Sequence, residues 1–124
     1  RDALLAGVED FRATGMDVRL CTDDGSRGHR GPVTDLLREV LDERTDQEGS
    51  IGIFCCGPEP MMEAVAEIAR QANVPCQVSL ETPMACGIGI CFTCVARVRD
   101  DQGTWDYKRT CVEGPVFDAR RIVW

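Results

Sequence analysis

Four cysteines at fixed spacing constrain this chain more than any other feature of its sequence. Cys86, Cys91 and Cys94 form a C-x4-C-x2-C pattern, and Cys111 follows after sixteen further residues. This is the plant-type spacing of thiolates around a [2Fe-2S] cluster. Such a cluster needs four converging thiolates, two for each iron, and a short loop can supply three of them. The spacing therefore predicts a [2Fe-2S] site with these four cysteines as its ligands.

Two glycines inside the first cysteine pair fit the same interpretation. Gly87 and Gly89 have no Cβ, so the backbone can approach a cluster closely and adopt positive φ. The alternatives are a structural zinc site or plain buried thiols. A zinc ribbon needs a second C-x2-C pair, but Gly114 stands where the partner of Cys111 would be. The full four-cysteine pattern therefore favours the iron–sulfur cluster over zinc.

Composition limits the remaining function classes. The chain has 124 residues, a formal net charge of −7 and 44% hydrophobic residues, which suggests one domain or a small pair of modules. The acidic balance argues against nucleic acid and anionic membranes as partners, and no apolar run is long enough to span a bilayer. Without a recognisable signal peptide we expect a cytoplasmic protein with reduced thiols. The other four cysteines are then core or pocket thiols: Cys21, Cys55, Cys56 and Cys76.

Helical and strand patterns alternate along the first 80 residues. We predict helices over 2–12, 32–44 and 61–72, strands over 16–22, 51–56 and 76–80, and a polar loop over 45–50. Such alternation is typical of an α/β fold with a parallel sheet. The apolar strand 51–56 is expected to be buried on both faces. The inward face of the last helix is predicted to carry Met62, Val65, Ala66 and Ala69.

A loop of acidic residues and glycines follows the strand at 16–22. Asp23, Asp24 and Gly25 stand at its start. In open α/β sheets this edge binds ligands, and an acidic residue here can accept the ribose hydroxyls of a dinucleotide. The alternative is an ordinary turn rich in Asp and Gly.

A second candidate binding turn joins the strand at 51–56 to the next helix. Cys56, Gly57 and Pro58 form a strand–glycine–helix junction. Such a junction places a helix N-terminus and an accessible backbone at the top of a sheet.

The last third of the chain has a different organisation. Segments 95–98 and 104–110 have strand character, and residues 100–103 are a hairpin turn signal that would carry Cys111 back beside Cys94. We therefore predict two modules. Residues 1–80 form part of a parallel, Rossmann-like nucleotide-binding sheet, and residues 81–124 form a small cluster-binding module with a β-hairpin.

Four segments together resemble a known family. They are Thr22 to Ser26, Cys56 to Met61, the cysteine loop 86–94, and residues 108–118 with their G-P-V-F-D sequence. The chain resembles the electron-transfer subunits of the two-subunit, NAD-dependent class of dihydroorotate dehydrogenase, within the ferredoxin-NADP-reductase-like superfamily. The resemblance covers essentially the whole chain, and the cysteine loop and the G-P-V-F-D tail are its most specific parts.

The resemblance implies a role in pyrimidine biosynthesis. Subunits of this family hold FAD and the cluster, and they pass electrons from the FMN of a catalytic partner subunit, reduced by dihydroorotate, to NAD⁺. Carried over, the four cysteines ligate the iron. Two further sets acquire roles: Cys56, Gly57 and Pro58 line the nicotinamide pocket beside the flavin, and Asp23, Asp24 and Gly25 lie at the adenosine end.

The sequence also departs from the family pattern. The FAD-binding barrel and the glycine-rich pyrophosphate loop of such subunits do not occur in it. We therefore expect it to match the C-terminal part, to be inactive with NADH by itself, and to close its sheet differently, exchange elements with another copy or expose an edge. Rival assignments are a hydrogenase γ-subunit or an NADH-dependent ferredoxin-NADP reductase subunit. A rival of another class is a simple electron-carrier or zinc module without nucleotide function.

Overall fold

The computed structural model describes residues 1–44 and 51–124. The predicted polar loop over 45–50 lies outside these residues. The chain divides into two compact units, Arg1–Gln47 and Glu48–Trp124, and each is described by itself. None of the helices in the described ranges combines the length and hydrophobicity that a membrane span requires.

The first unit is built from short elements. They are a 3-10 turn (Asp2–Leu4), α1 (Val8–Ala13), β1 (Cys21–Thr22), β2 (His29–Arg30) and α2 (Val33–Arg44). Strands β1 and β2 pair in parallel, with Cys21 opposite His29. The predicted helix over 32–44 is confirmed as α2.

The predicted N-terminal helix is interrupted near its middle. Gly7, at φ +72°, separates the 3-10 turn from α1, because a residue in the left-handed region cannot continue a right-handed helix. At the other end Gly15, at φ +82°, donates its N–H to the Arg12 carbonyl. That glycine ends the helix as predicted.

The predicted strand 16–22 is paired over two residues only. The His29 N–H donates to the Leu20 carbonyl at 2.8 Å. A Cβ added to Gly28 would lie 2.0 Å from that same carbonyl oxygen. The chain therefore turns back against Leu20 immediately, and too little of it runs alongside the strand to extend the ladder.

The second unit contains three kinds of element. The strands are β3 (Ile53–Cys56), β4 (Cys76–Ser79), β5 (Val95–Arg99), β6 (Trp105–Arg109) and β7 (Val116–Asp118); the helix is α3 (Glu59–Gln71), and a 3-10 turn covers Ala119–Arg121. Strands β3 and β4 are parallel and joined through α3, and β7 adds antiparallel to β4. Strands β5 and β6 form a separate antiparallel pair. The fold is therefore mixed α/β with parallel strands, as predicted.

Helix α3 supplies the core of this unit. Its buried residues are Met62, Val65, Ile68 and Ala69. The sequence predicted Ala66 in this buried set instead of Ile68, but Ala66 is only half-buried. The helix begins at Glu59, two residues earlier than predicted, because a proline is tolerated in the first turn of a helix.

Strand β3 is not buried on both faces, so that prediction is wrong. Its burial alternates, and Phe54 is 81% exposed. Strand β3 is the edge strand of its sheet, and α3 packs on it. The residues on the face away from the core, Phe54 and Cys56, are left open to solvent.

The C-terminal segment joins the two sheets of the second unit. Phe117 in β7 lies opposite Val78 in β4, while Ile122 bridges to Val98 in β5. Residues 48–124 consequently form one compact unit, and the predicted module limit at residue 80 falls within it.

Substitution of Val78 tests this core. Val78 is fully buried in the central strand, so Val78→Ala should lower the free energy of unfolding by about 2 kcal/mol. The exposed Phe54→Ala should change it by less than about 0.5 kcal/mol. Both tryptophans, Trp105 and Trp124, belong to this unit, so their fluorescence in urea reports the transition. Equal losses for the two variants would contradict this description.

Candidate metal centre

The first thiol pair is set by the register of β5 and β6. Cys94 immediately precedes β5, and Cys111 follows two residues after β6. Val95 pairs with Arg109 at that end of the ladder, so the two flanking cysteines are brought together. Their Sγ atoms are 3.1 Å apart.

The second thiol pair lies in the loop itself. The backbone N–H groups of Cys91 and Ile88, with further support from Ile90, stabilise the Cys86 thiolate and lower its pKa to about 6. The Cys91 side chain lowers the pKa of Cys86 in the same direction. At neutral pH Cys86 is therefore mainly a thiolate, which is the form that binds metals.

Cys94 and Cys111 share one hydrogen bond, and their titrations are linked. The contact with Cys111 lowers the pKa of Cys94, and the same contact raises the pKa of Cys111. Cys94 loses its proton more readily, because the S–H of Cys111 stabilises the Cys94 thiolate. Cys111 retains its proton. A bound cation displaces both protons, because a coordinating thiol is deprotonated outright.

Close packing of the loop on the Cys111 turn depends on glycine. Gly87 and Gly89 have φ values of +67° and +80°. A Cβ added at Gly89 would lie 2.6 Å from Cγ2 of Val112. The turn that carries the fourth cysteine therefore packs directly against the loop that carries the other three.

The buried Thr110 holds Cys94 beside Cys111. Both the N–H and the hydroxyl of Thr110 donate to the Cys94 carbonyl, at 2.8 and 3.1 Å. The Thr110 hydroxyl is also hydrogen-bonded to the hydroxyl of Thr82, which precedes the loop. The sequence analysis did not identify these threonines, although the position of Thr110 beside Cys111 was an available signal.

The donor set fits the predicted cluster. The Cys94 and Cys111 sulfurs are 3.1 Å apart, Cys86 and Cys91 lie in the adjoining loop, and all four are free thiols. In residues 1–44 and 51–124, no three His, Cys, Asp or Glu side chains are arranged to hold a single metal ion. The assignment of Cys86, Cys91, Cys94 and Cys111 as cluster ligands stays a prediction from their spacing.

The other cysteines are chemically distinct. Burial raises the pKa values of Cys21, Cys55 and Cys76, that of Cys76 to about 11. Such thiols remain protonated at neutral pH and behave as small apolar side chains. Cys56 is exposed, with its Sγ 3.7 Å from a carboxylate oxygen of Glu81.

The predicted nucleotide turn after β3 opens on a pocket of about 270 Å³. Gly57 and Pro58 line it, whereas Cys56 does not. The opposite wall includes residues that the sequence analysis missed: Leu80, Glu81, Val95, Arg97, Tyr107 and Trp124. Alternation along β6, which puts Arg109 on the same face as Tyr107, gave no signal for this pocket, and Trp124 lies outside the strand.

The acidic loop of the first unit is organised by its own contacts. The Asp24 carboxylate accepts the N–H and the hydroxyl of Ser26, at 3.0 and 2.7 Å, which lowers its pKa. Gly25, at φ +71°, donates to the Thr22 carbonyl, and Asp23 is exposed. These three residues and the turn at 56–58 lie in different compact units, so the two predicted nucleotide segments are described separately.

Comparison with known proteins agrees with this chemistry. Residues 81–123 match the family described as the iron-sulfur cluster binding domain of dihydroorotate dehydrogenase B. The matched segment contains all four cysteines of the loop and turn. The class of domain that this segment resembles is therefore one that binds an iron–sulfur cluster.

Curated relatives extend the match to most of the chain. The chain is 44% identical over 118 residues to the dihydroorotate dehydrogenase B (NAD(+)) electron transfer subunit of Caldanaerobacter subterraneus subsp. tengcongensis, covering 94% of this chain and 44% of that protein. It is 46% identical over 101 residues to the probable electron transfer subunit of Methanocaldococcus jannaschii, covering 81% and 35%. The chain thus spans less than half the length of these relatives.

A solved structure shows the same fold. A structure of an NADH-dependent reduced ferredoxin-NADP oxidoreductase, described in relation to flavin-based electron bifurcation, superposes with a TM-score of 0.73 at 32% identity. The match covers 100% of this chain and 41% of the chain in that solved structure. Residues 81–123 are thus similar to iron–sulfur cluster binding domains of dihydroorotate dehydrogenase B, and most of the chain is similar to part of the electron-transfer subunits of that enzyme.

Gly89→Ala tests the close packing at this centre. The added Cβ should push the loop away from Val112 and lower the iron retained per chain. Gly103→Ala is a matched control, because Gly103 has nearly the same φ, +82°, but no atom within 4 Å of the added Cβ. Iron content by colorimetric assay distinguishes the two. A double change with Val112→Ala should restore part of the lost iron, and equal iron in both single variants would contradict the packing argument.

Proposed function

We propose that this chain is the cluster-bearing part of the electron-transfer subunit of an NAD-dependent dihydroorotate dehydrogenase. Cys86, Cys91, Cys94 and Cys111 would hold a [2Fe-2S] cluster, which exchanges single electrons when bound. The observation that carries the proposal is the 3.1 Å approach of the Cys94 and Cys111 sulfurs, with the free thiols of Cys86 and Cys91 in the adjoining loop, within the segment that matches the family.

The residues of the loop prepare this site before any cluster binds. The thiolate at Cys86 and the shared proton of Cys94 and Cys111 reduce the number of protons that ligation must displace. Cys94 is 1% exposed, so one end of the site is shielded from water. The loop N–H groups that face Cys86 remain available to a ligating sulfur and would help to set the reduction potential.

The pocket beside Gly57 supports a flavin and a nicotinamide in the complete subunit. Nicotinamides transfer two electrons as hydride, whereas a cluster transfers one, and a flavin can do both. Gly57 and Pro58 present backbone at the edge of the pocket, and Tyr107 and Trp124 offer aromatic surface. We assign this pocket to the FAD and NAD end of the electron path, and we assign Asp23, Asp24 and Gly25 to the adenosine end. Cys56 would lie beside the same pocket.

The proposed partner is the FMN-containing catalytic subunit. Three apolar side chains of the cysteine loop 86–94, the cluster loop, are highly exposed: Ile88 at 73%, Ile90 at 75% and Phe92 at 70%. A cluster can exchange electrons with another protein only near a surface, and grouped exposed apolar side chains are typical of an interaction site. The alternative is that they only shield the cluster from water. We expect the assembled enzyme in the cytoplasm, where thiols stay reduced.

Cys91→Ser tests ligation by the four cysteines. It should abolish the visible absorbance of the purified protein and lower its iron content, because one iron loses a thiolate. Cys21→Ser, Cys55→Ser and Cys76→Ser are controls that should retain both signals. Iron analysis and a visible spectrum measure the outcome. Full iron retention in Cys91→Ser, or colourless protein containing zinc in the unmodified chain, would refute the assignment.

Ile88→Asp tests docking in the full-length subunit. If Ile88 docks, the substitution should weaken assembly with the FMN-containing subunit at least tenfold, while NADH-to-dye activity through FAD survives. Leu4→Asp changes a residue of similar exposure, 80%, in the other unit, and should leave assembly unchanged. Co-purification and sedimentation measure assembly. Unaltered assembly with a changed cluster potential would instead assign Ile88 to shielding.

A second candidate function is supported by the solved structure. The chain is 32% identical to an NADH-dependent ferredoxin-NADP oxidoreductase over its whole length, so the same module occurs in a second class of flavin enzyme. The partner separates the two functions. Co-purification with a subunit that oxidises dihydroorotate supports the first, and ferredoxin-dependent reduction of NADP without dihydroorotate oxidation supports the second.

A further inference from the structure

Arg109 connects the two segments that carry the cysteines. It is the last residue of β6, two positions before Cys111. Its Nη1 donates to the carbonyl of Gly89 at 2.5 Å, inside the cluster loop. Its guanidinium carbon also lies 5.7 Å from the ring centroid of Phe92, within the range of a cation–π contact.

The turn after β6 holds Arg109 in this position. The Arg109 N–H donates to Oε2 of Glu113 at 2.7 Å, and its Nε lies 3.7 Å from the same oxygen. The Arg109 carbonyl accepts the N–H groups of Val112 and Glu113, at 3.0 and 2.8 Å. The main chain and the base of the side chain are thus fixed around Cys111, and the far end of the side chain reaches the loop.

The two cysteine pairs have different supports. Thr110 is buried and holds Cys94 beside Cys111, because both its N–H and its hydroxyl donate to the Cys94 carbonyl. The carbonyl and the ring that Arg109 contacts lie on either side of Cys91, at Gly89 and Phe92. The Cys91 side of the loop is therefore held to the Cys111 turn by a charged side chain, whereas the Cys94 side is held by buried neutral groups.

We propose that Arg109 is a positioning residue for the cluster, holding the Cys86–Cys91 half of the loop against the turn that carries Cys111. The inference rests on the proposed cluster site and adds a residue that is not a ligand. Removing the guanidinium frees the Gly89 carbonyl and the Phe92 ring together. The loop can then move away from Cys111, and a cluster bound between them loses the constraint that keeps its two halves together.

The chemistry of arginine suits this task. A planar guanidinium can donate to a carbonyl with one nitrogen and lie over an aromatic ring at the same time, which a lysine ammonium does with poorer geometry. The neighbouring Lys108 points to the other face of β6, as strand alternation requires, and pairs with Asp106 at 3.7 Å. Lys108 carries the same charge at nearly the same place in the chain, and so it is a matched control.

The test compares the rates at which variants lose iron to a chelator. Arg109→Ala should release iron about 10- to 100-fold faster than the unmodified protein, the range typical for loss of an outer-shell partner. Lys108→Ala should release iron at the unmodified rate, and Arg109→Lys should fall between them. Both alanine variants remove one positive charge, so a change in reduction potential common to both reports charge alone. Equal release from Arg109→Ala and Lys108→Ala would overturn the proposal.

A second measurement tests the contact without iron. In the iron-free protein, hydrogen exchange of the amides at 88–91 should be faster in Arg109→Ala than in Lys108→Ala, because the loop loses the contacts that Arg109 makes with the Gly89 carbonyl and the Phe92 ring. Glu113→Gln, a milder change, should shift exchange in the same direction. If hydrogen exchange is unchanged in both Arg109→Ala and Glu113→Gln, the inference is overturned even if the protein binds iron. Absence of iron from the unmodified protein, with exchange altered as expected, instead overturns the proposed function and leaves the loop contact supported.

Discussion

The approach of Cys94 to Cys111 is the constraint on which the second unit depends. The sulfur atoms are 3.1 Å apart because residues on either side of them belong to one antiparallel ladder, and because Thr110 donates twice to the Cys94 carbonyl. Main-chain geometry therefore determines this pair before any metal is present. The other pair depends on a loop with two glycines at positive φ. One half of the site is thus part of a regular sheet, and the other half is held against it by side chains.

This division explains how much of the site the sequence could predict. The ligand set is predicted from the spacing of the four cysteines, which is the plant-type pattern of a [2Fe-2S] site. The approach of Cys111 to Cys94 follows from a turn signal between two strand-like segments. The contacts of Arg109 and Thr82 could not be predicted, because they depend on where the loop lies over the turn. That position is set by the contact of Gly89 with Val112, which no local pattern records.

The errors in the predicted fold have a similar origin. Periodicity identified α2 and α3 correctly, because each has a continuous apolar face. It joined residues 2–12 into one helix, because an apolar stripe does not reveal that Gly7 adopts φ +72°. It also treated the apolar run at 51–56 as buried on both faces, although Phe54 is exposed on an edge strand. A run of apolar residues predicts that one face of a strand is buried. Whether the opposite face is also buried depends on whether another element packs on it.

The pocket beside Gly57 and the thiol site share structural elements, and this bears directly on electron transfer. Val95, which follows Cys94, lines the pocket, and so does Thr82, whose hydroxyl is bonded to Thr110. Both features belong to one compact unit. In this unit β7 pairs with β4 opposite Val78, and Ile122, which follows β7, bridges to Val98 in the other sheet. A redox group bound in the pocket would therefore contact Val95, the first residue of β5, which directly follows Cys94. The same core that stabilises this unit therefore also keeps the pocket next to the buried Cys94 and its half-buried neighbour Cys111.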